Sequence, residues 1–425
     1  MTNKRFLILA PYFFPYQNPR ARRVLKLLEQ LDKKGFKADV VCSTRSLKPN
    51  YFSDNIEIYP CGFNSIKEKF SNLSGIPSKK DNSSNIDSRL KSIVRNLNTL
   101  FLRSLYWPDD SFVWRKSGGS KSHQLFMKNK YDAIICFSFP YTSLLIGENL
   151  KDSYPDTIWI NDIGDPLAFQ HKSLFNNNWL YEKKNHRTEQ RILNSADLNI
   201  LTNESLKRIY EHNLNIQSEK LKVVGPFNQV AKPIIKQKVN KTLSFLYLGT
   251  FYSKLRSPLR LMTLFKEIFN QFQNKDLHFY IAGPLRSEEI KLFQTDPTIK
   301  DCLTIYPFLN KKETQSLIEK SSFLINISNL SEHQLPSKCA DYIASCLPII
   351  NIFELEQDVS KSYLRRHPLV FNYNTSSNTE DQKNRLKSFI ESNQHKSIPP
   401  ELSIDLLKNS TPEYMLEQIM KLWKQ

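Results

Sequence analysis

The sequence predicts an α/β protein made of two successive units with parallel sheets, and three observations carry that prediction. Short apolar runs alternate with helical segments from residue 4 to residue 224 and again from 243 onward, the order that yields parallel strands with crossover helices. A lysine-rich stretch over 229–242, broken by Pro233, separates the two runs and has the composition of an interdomain linker. At 425 residues the chain also exceeds what one hydrophobic core organises.

In the first unit, residues 4–11 read as a strand whose exit loop carries Pro15, Asn18 and Pro19. This opening apolar stretch is short, is broken by Pro11 and Pro15, and lacks a small-residue cleavage site, so it reads as a strand rather than a signal peptide. Residues 20–34 then place Val24, Leu25, Leu27, Leu28 and Leu31 at helical spacing, surrounded by Arg20, Arg22, Arg23 and Lys26. Gly35 ends that helix, and 38–42 forms the next strand.

Over 63–130 the pattern loosens into a basic insertion. Residues 71–85, rich in Ser, Asn and Lys, read as a loop. Residues 90–105 read as an amphipathic helix in which Lys91, Arg95 and Arg103 interleave with leucines. Its apolar stripe either packs on the domain or lies on a membrane surface. Regular alternation resumes with strands at 131–138 and 157–161 around a helix over 140–149 that Pro140 initiates. A helix over 181–194, a strand over 198–201, a helix from Asn203 and a strand over 222–224 follow. The run DIGDP, 162–166, leaves the 157–161 strand with Asp162 and Asp165 where parallel sheets place ligands; a capped turn is the other reading.

The second unit reads as strands 243–248, 277–282, 303–306, 323–327 and 348–352 with helices between them. Its first strand ends in Gly249, and the next loop, TFYSKLRSP, sets Lys254 and Arg256 on the carboxyl edge. The stretch 323–353 is the most informative. Pro336 and Ser337 suit the first turn of a helix, and Ala340, Ile343 and Ala344 share one face of it. Lys338 and Asp341 lie three apart beside that start. Free backbone NH groups with an adjacent lysine hold phosphate, and an acidic side chain one turn on accepts from ribose hydroxyls, a combination that points to a nucleotide diphosphate. The competing reading is an ordinary strand, loop and helix with a solvated Lys and Asp. A helix over 414–423 is expected to return to the first domain. The domain plan is therefore 1–228, a linker at 229–242, 243–405, and a C-terminal helix within 406–425.

Composition narrows the function. With 40% hydrophobic and 24% charged residues, and no apolar run near the ~20 residues needed to span a bilayer, no transmembrane helix is expected. Six cysteines without CxxC spacing indicate neither a zinc site nor a disulfide framework, which fits a reducing cytoplasm. The formal charge of +18 attracts polyanions: nucleic acid, an anionic membrane face or phosphorylated substrates. Nucleic acid ranks last, because no recognition motif accompanies the basic residues.

In the first half, LAPYFFPYQNPRARR, YWPDDSFVW, YDAIICFSFPYTS and WINDIGDPL, and in the second YLGTFYSKLRSP, LHFYIAGP, LTIYPFLNKKE and LPSKCADYIASCLPII, resemble family 4 glycosyltransferases. The resemblance covers most of the chain, and the last motif is the most specific. It implies the GT-B fold, two Rossmann-like domains facing across a cleft. It further implies retaining transfer of a sugar from a nucleotide diphosphate donor to a glycan or lipid-linked acceptor, in surface polysaccharide or lipopolysaccharide assembly. By resemblance, Lys254, Arg256, Lys338 and the backbone of Leu335, Pro336 and Ser337 meet the donor phosphates. Asp341 meets the ribose, Glu332 and His333 lie by the donor sugar, and Asp162 lies close to the reacting centre. Arg20, Arg23 and Asp165 belong to the acceptor side. No metal or other cofactor is implied, and Asp162 and Asp165 are separated by two residues rather than the one of an Asp-x-Asp metal site. Peripheral contact with the inner face of an anionic membrane would accompany a lipid-linked acceptor.

The chain departs from the family at four places. The family's first glutamate falls on His333, its second is Asp341, its usual glycine before Leu347 is Cys346, and Asn18, Pro19 and Arg20 stand where many relatives carry paired glycines. These departures motivate the alternative of a catalytically silent nucleotide or glycan binding protein of the same fold.

Overall fold

The computed structural model describes residues 4–16, 18–63, 65, 103–169, 175–228, 230, 233, 242–252, 255–273, 275–377 and 379–423. The chain divides into two compact units, Met1–Val224 with Pro412–Gln425, and Gly225–Thr411. The boundary thus falls at 224/225, and the chain passes back at 411/412. Most of the stretch read as a linker lies outside the described residues, as do the loop at 71–85 and nearly all of the helix expected over 90–105. Of that helix only the short turn Arg103–Leu105 is described.

The first unit runs β1 (Arg5–Leu9), α1 (Pro19–Lys33), β2 (Lys37–Cys42), β3 (Ile56–Pro60), α2 (Trp114–Phe126), β4 (Ala133–Phe137), α3 (Thr142–Ser153), β5 (Ile158–Ile163), α4 (Asn178–Ser195), β6 (Leu198–Leu201), α5 (Glu204–Asn213) and β7 (Leu221–Val223). Its strands pair in the order β3-β2-β1-β4-β5-β6-β7, parallel throughout. The order reverses between β1 and β4, so the loops leaving those strands flank a topological switch point.

Local chemistry accounts for most of these elements. Asn18 caps α1 by accepting from the Ala21 NH at 2.8 Å, Pro19 occupies its first turn, and Gly35 at φ +73° releases the chain after it. Two elements left little trace in the sequence. In α2 the buried positions are Trp114, Gly118, Ser122 and Leu125, so two of the four carry almost no hydrophobic signal. Gly118 is small for a reason: a Cβ there would lie 2.8 Å from the Trp114 indole, whose Nε1 donates to the Cys61 carbonyl at 2.8 Å. Strand β3 lies at the sheet edge and buries only Ile56 fully.

Two boundaries differ from expectation with consequences for the site. Strand β5 continues through Ile163, so Asp162 sits inside the sheet, in register with Phe137 and Ile200, rather than in the exit loop. The polar Asn-Asp pair reads as a strand end, yet Asn161 is paired within the sheet by donating from Nδ2 to Asn199 Oδ1 at 3.0 Å. Helix α3 begins at Thr142, two residues past Pro140, and its head is capped by Asp109, which accepts from the Thr142 NH at 3.0 Å and its hydroxyl at 2.7 Å.

The second unit runs β8 (Leu243–Leu248), α6 (Pro258–Gln271), β9 (Leu277–Ala282), α7 (Ser287–Gln294), β10 (Leu303–Tyr306), α8 (Lys311–Lys320), β11 (Phe323–Ile327), α9 (Lys338–Ser345), β12 (Ile349–Phe353), α10 (Val359–Leu364), β13 (Val370–Asn374), α11 (Glu380–Asn393) and α12 (Pro400–Leu406). Strand order is β10-β9-β8-β11-β12-β13, again all parallel, with the switch point between β8 and β11. Both faces are covered. Leu243, Phe245 and Tyr247 enter one core cluster, Leu246 and Leu248 the other, so the strands read as continuous apolar runs. Inside this sheet Asn326, Asn351 and Asn372 stand in register and bond side chain to side chain at 2.7 and 2.9 Å.

The chain then re-enters the first unit as α13 (Pro412–Met420) followed by a 3₁₀ turn, Lys421–Trp423. Helix α13 packs along α1 with Met415, Leu416 and Ile419 buried. Trp423 sets its ring edge-on to Phe6 at 6.0 Å, and the Lys4 ammonium lies 4.7 Å from the indole centroid.

Gly118→Ala is expected to force the buried Trp114 ring off its seat at a cost of about 1–3 kcal/mol, read as a lower urea midpoint for the first unit. An unchanged midpoint would mean that α2 yields without loss.

Candidate functional site

The carboxyl edge of the second sheet gathers the groups the sequence singled out. Strands β8 and β9 end in Gly249 and Gly283, and these glycines touch: a Cβ on Gly283 would lie 2.1 Å from the Gly249 carbonyl oxygen, and Gly283 has φ +148°. Only glycine lets the two strand ends pack backbone to backbone in this way. Past Gly249 the loop folds back on itself, with Tyr252 and Arg256 paired as an isolated antiparallel bridge. Lys254, in the same loop, lies outside the described residues. From this bridge the Arg256 guanidinium crosses the switch point and donates to Asn329 Oδ1, 2.9 Å from Nη2 and 3.2 Å from Nε. Asn329 then donates from Nδ2 to the Gln334 carbonyl at 3.0 Å, which fixes the loop leading to α9. The acceptor of Arg256 is a neutral amide, so its positive charge is held in place without being cancelled.

Helix α9 starts at Lys338 with Ser337 as its cap residue, two positions later than the expected start at Pro336. Pro336 belongs instead to a tight lead-in turn, in which the Cys339 NH donates to the Pro336 carbonyl at 3.1 Å. Lys338 Nζ lies 3.0 Å from Asp341 Oδ2; the lysine is one-third exposed and the aspartate buried. Arg256 reaches the same turn electrostatically: burial pushes the Cys339 thiol up to about 12, and Arg256 pulls the other way. Tyr342, one residue after Asp341, clamps α9 to β8 by donating to the Leu248 carbonyl and accepting the Leu248 NH, each at 3.2 Å. In the loop before α9, Glu332 is exposed, His333 and Pro336 are buried, and Leu335 and Ser337 are half-buried. Cys346, where a helix usually ends in glycine, adopts φ +66°.

The first unit places its predicted residues differently. Asp162 is fully buried, and both carboxylate oxygens are taken: Arg20 Nη2 donates to Oδ1 at 2.8 Å and Arg23 Nε to Oδ2 at 2.6 Å. Burial alone would raise its pKa, but the two guanidinium groups hold the carboxyl below the usual range. Arg20 also donates to the backbone carbonyl of Asp162, and Arg23 donates to the carbonyl of Val224 at 3.1 Å. Gly164 makes room, since a Cβ there would sit 3.0 Å from Arg20 Nη1. Asp165 lies beyond the strand, half-buried. At the switch point, Tyr12 from the loop after β1 stacks on Phe139 from the loop after β4 at 5.9 Å.

Two acidic residues with structural roles here went unassigned in the sequence. Glu189, in the middle of α4, is buried and accepts from the Leu167 and Ala168 NH groups, both at 2.8 Å, and from the Tyr210 hydroxyl at 2.7 Å. It pins the loop that carries Asp165, and burial pushes its pKa up to about 7 against those donors. A glutamate in a polar helix carries no local sign of burial, so no sequence signal marks it. Asp109 does stand in a quoted motif, YWPDDSFVW, as the cap of α3; burial pushes it up to about 6, opposed chiefly by Thr142. Among the described residues no group of three or more His, Cys, Asp or Glu is placed to hold a metal ion. Nor is any helix among them long and apolar enough to cross a membrane.

Asp162→Asn leaves two buried guanidinium groups short of counter-charge and is expected to destabilise the first unit by about 3–5 kcal/mol in urea unfolding. The sign with pH follows from the depressed pKa: the Asp162 contribution is full above the unfolded value of ~3.9 and is lost as pH falls through the lower folded value. Glu189→Gln turns an amide donor toward a backbone donor. It should cost about 1–3 kcal/mol and speed hydrogen exchange at the Leu167 and Ala168 amides; unaltered exchange would remove the loop-pinning role.

No protein-family profile matches the sequence, and no curated protein matches it. Solved structures do match over the full chain. Sucrose-phosphate synthase from Thermosynechococcus elongatus aligns at TM-score 0.60 and 10% identity, covering 99% of this chain and 98% of that one. WaaG, a glycosyltransferase involved in lipopolysaccharide biosynthesis, aligns at 0.58 and 9%, covering 96% and 98%. Anabaena HepE, in complex with UDP, aligns at 0.59 and 10%, covering all of both chains. What the chain shares with these proteins is their architecture, and its fold is GT-B.

Proposed function

We propose that the chain is a retaining, metal-independent glycosyltransferase that moves a sugar from a nucleotide diphosphate donor to a glycan or lipid-linked acceptor, in surface polysaccharide or lipopolysaccharide assembly. The observation that carries this reading is the Arg256 guanidinium held by a neutral amide at the second switch point, on the same sheet edge as the Lys338 end of α9. Positive charge at the start of a helix, on the carboxyl edge of the sheet, suits a diphosphate. Anabaena HepE, which has this architecture, was crystallised with UDP and with UDP-glucose, and WaaG acts in lipopolysaccharide synthesis; both support the choice of substrate class.

Chemically, transfer requires the diphosphate to leave with its charge compensated. Arg256 and Lys338 supply that compensation as preorganised charges at the positive end of α9, with Lys254 assigned alongside them. Lys338 exchanges its bond to Asp341 for a phosphate oxygen, and the Asp341 carboxylate is assigned to the ribose hydroxyls. Glu332 and His333 are assigned to the donor sugar, and Leu335, Pro336 and Ser337 to the turn that aims the NH groups. With retention, the departing phosphate takes the acceptor's proton on the face it leaves. Asp162, with both oxygens engaged, serves in this reading as a positioning residue for Arg20 and Arg23 on the acceptor side, next to Asp165.

Titration calorimetry with UDP, GDP, CDP, ADP and their sugars tests the donor site. One base is expected to bind selectively, with or without chelator. Lys338→Ala and Arg256→Ala should each weaken that binding by about 1.5–3 kcal/mol, the range for a charge-assisted hydrogen bond. Unchanged affinity in both variants sinks the phosphate assignment, and binding without release of nucleoside diphosphate to any acceptor favours the catalytically silent alternative.

A further inference from the structure

We propose that the outer face of the first three turns of α4, together with the turn at 103–107, seats on a lipid surface bearing anionic headgroups. Trp179 is 72% exposed, Leu180 48% and Leu105 77%, an unusual amount of apolar side chain to hold in water at one place. They are neighbours in space. Ser104 bonds on both sides of the Trp-Leu pair, its hydroxyl accepting from Asn177 Nδ2, two residues before Trp179, and its carbonyl from the hydroxyl of Tyr181, next after Leu180, each at 2.6 Å. The indole of Trp107 donates to Asn185 Oδ1 at 3.0 Å, so the turn lies firmly along the helix. Phe112, also exposed, stacks on Tyr106 beside it.

Cations surround these apolar side chains. At four-residue steps Trp179, Lys183 and Arg187 line one exposed stripe of α4, and Leu180 and Lys184 line the stripe beside it, with Glu182 off to the flank. Among the described residues Lys183, Lys184, Arg187 and the nearby Arg115 form no ion pair; Lys184 lies 3.7 Å over the Trp107 ring, and Arg191, further along, pairs with Glu148. Burial and the neighbouring Arg115 both lower the Lys184 pKa, as expected where like charges crowd without a counter-charge.

The chemistry selects the occupant. A tryptophan and two leucines in a ring of lysine and arginine suit shallow insertion at headgroup depth, with long cationic stems reaching anionic phosphates. A stable protein interface uses about 20–30 residues a side, far more than this patch offers. The inference deepens the reading of a lipid-linked acceptor met at an anionic membrane, and because its test reads vesicle binding and no activity, its failure would leave the donor assignment standing.

Co-sedimentation of the full chain with vesicles of phosphatidylglycerol and phosphatidylcholine, against pure phosphatidylcholine, is the experiment, at 0.1 M salt. Binding is expected to the anionic vesicles alone. Trp179→Ala with Leu180→Ala should weaken it about tenfold, and Lys183→Gln, Lys184→Gln and Arg187→Gln about fivefold for each charge removed. Lys311→Gln with Lys312→Gln, exposed cations of the second unit, should leave it unchanged. All these positions are at the surface, so unaltered circular dichroism certifies each variant. No binding by the wild type, equal binding by the α4 variants, or an equal loss in the Lys311 and Lys312 variant would overturn the proposal. So would self-association that Trp179→Ala abolishes.

Discussion

A single buried carboxylate holds the first unit together. Burying Asp162 in the middle of a parallel sheet would cost several kcal/mol were it not met by two guanidinium groups that reach it from α1. The tie does more than neutralise a charge. Arg23 also binds the carbonyl of Val224, the last residue before the chain leaves the unit, so the first helix, a central strand and the exit of the final strand are fastened at one point. Helix α13 in turn rests on α1, and the C-terminal segment depends on the same anchor.

In the second unit the buried Arg260 meets Glu354 at 2.9 Å, but the arginine at the switch point is held differently. Arg256 is held across the switch point by an amide, and Tyr342 ties α9 to β8 through a strand-end NH and carbonyl. The contrast sorts the molecule's charge. Arginines at the first edge bind a buried carboxylate, whereas Arg256 at the second edge binds a neutral amide. Asparagines do the internal bonding in both sheets, Asn161 with Asn199 in one and Asn326, Asn351 and Asn372 in the other. Neutral amides fill that place without adding charge to the core.

What the sequence disclosed follows from how each element buries its side chains. Strands β8 and β11 are buried on both faces, so their apolar runs end where the strands end, at Leu243–Leu248 and Phe323–Ile327; the expected bounds of β9 and of the edge strand β10 also coincide, at Leu277–Ala282 and Leu303–Tyr306. Elements whose burial rests on small or polar residues were silent. Helix α2 packs through Gly118 and Ser122, and β5 runs on through Asn161 and Asp162 because distant side chains satisfy them. In the candidate site, Lys338, Asp341 and Arg256 were legible from spacing and strand ends. Asn329 carries the bridge and was not, since nothing local tells a bonding asparagine from a loop residue. Asp162 read as an exit-loop residue rather than part of the strand because the two arginines that meet it lie at sequence separations of 142 and 139 residues.

The return of α13 to the first unit sets an order of events during synthesis. Residues 225–411 form a continuous stretch and can close their own core as soon as they leave the ribosome. The first unit, although made earlier, must wait for Met415, Leu416 and Ile419 before the side of α1 that they cover is shielded from water. For the time it takes to translate nearly two hundred further residues (225–411), a nascent chain therefore displays an uncapped apolar seam. The seam closes only when α13 arrives to cover it.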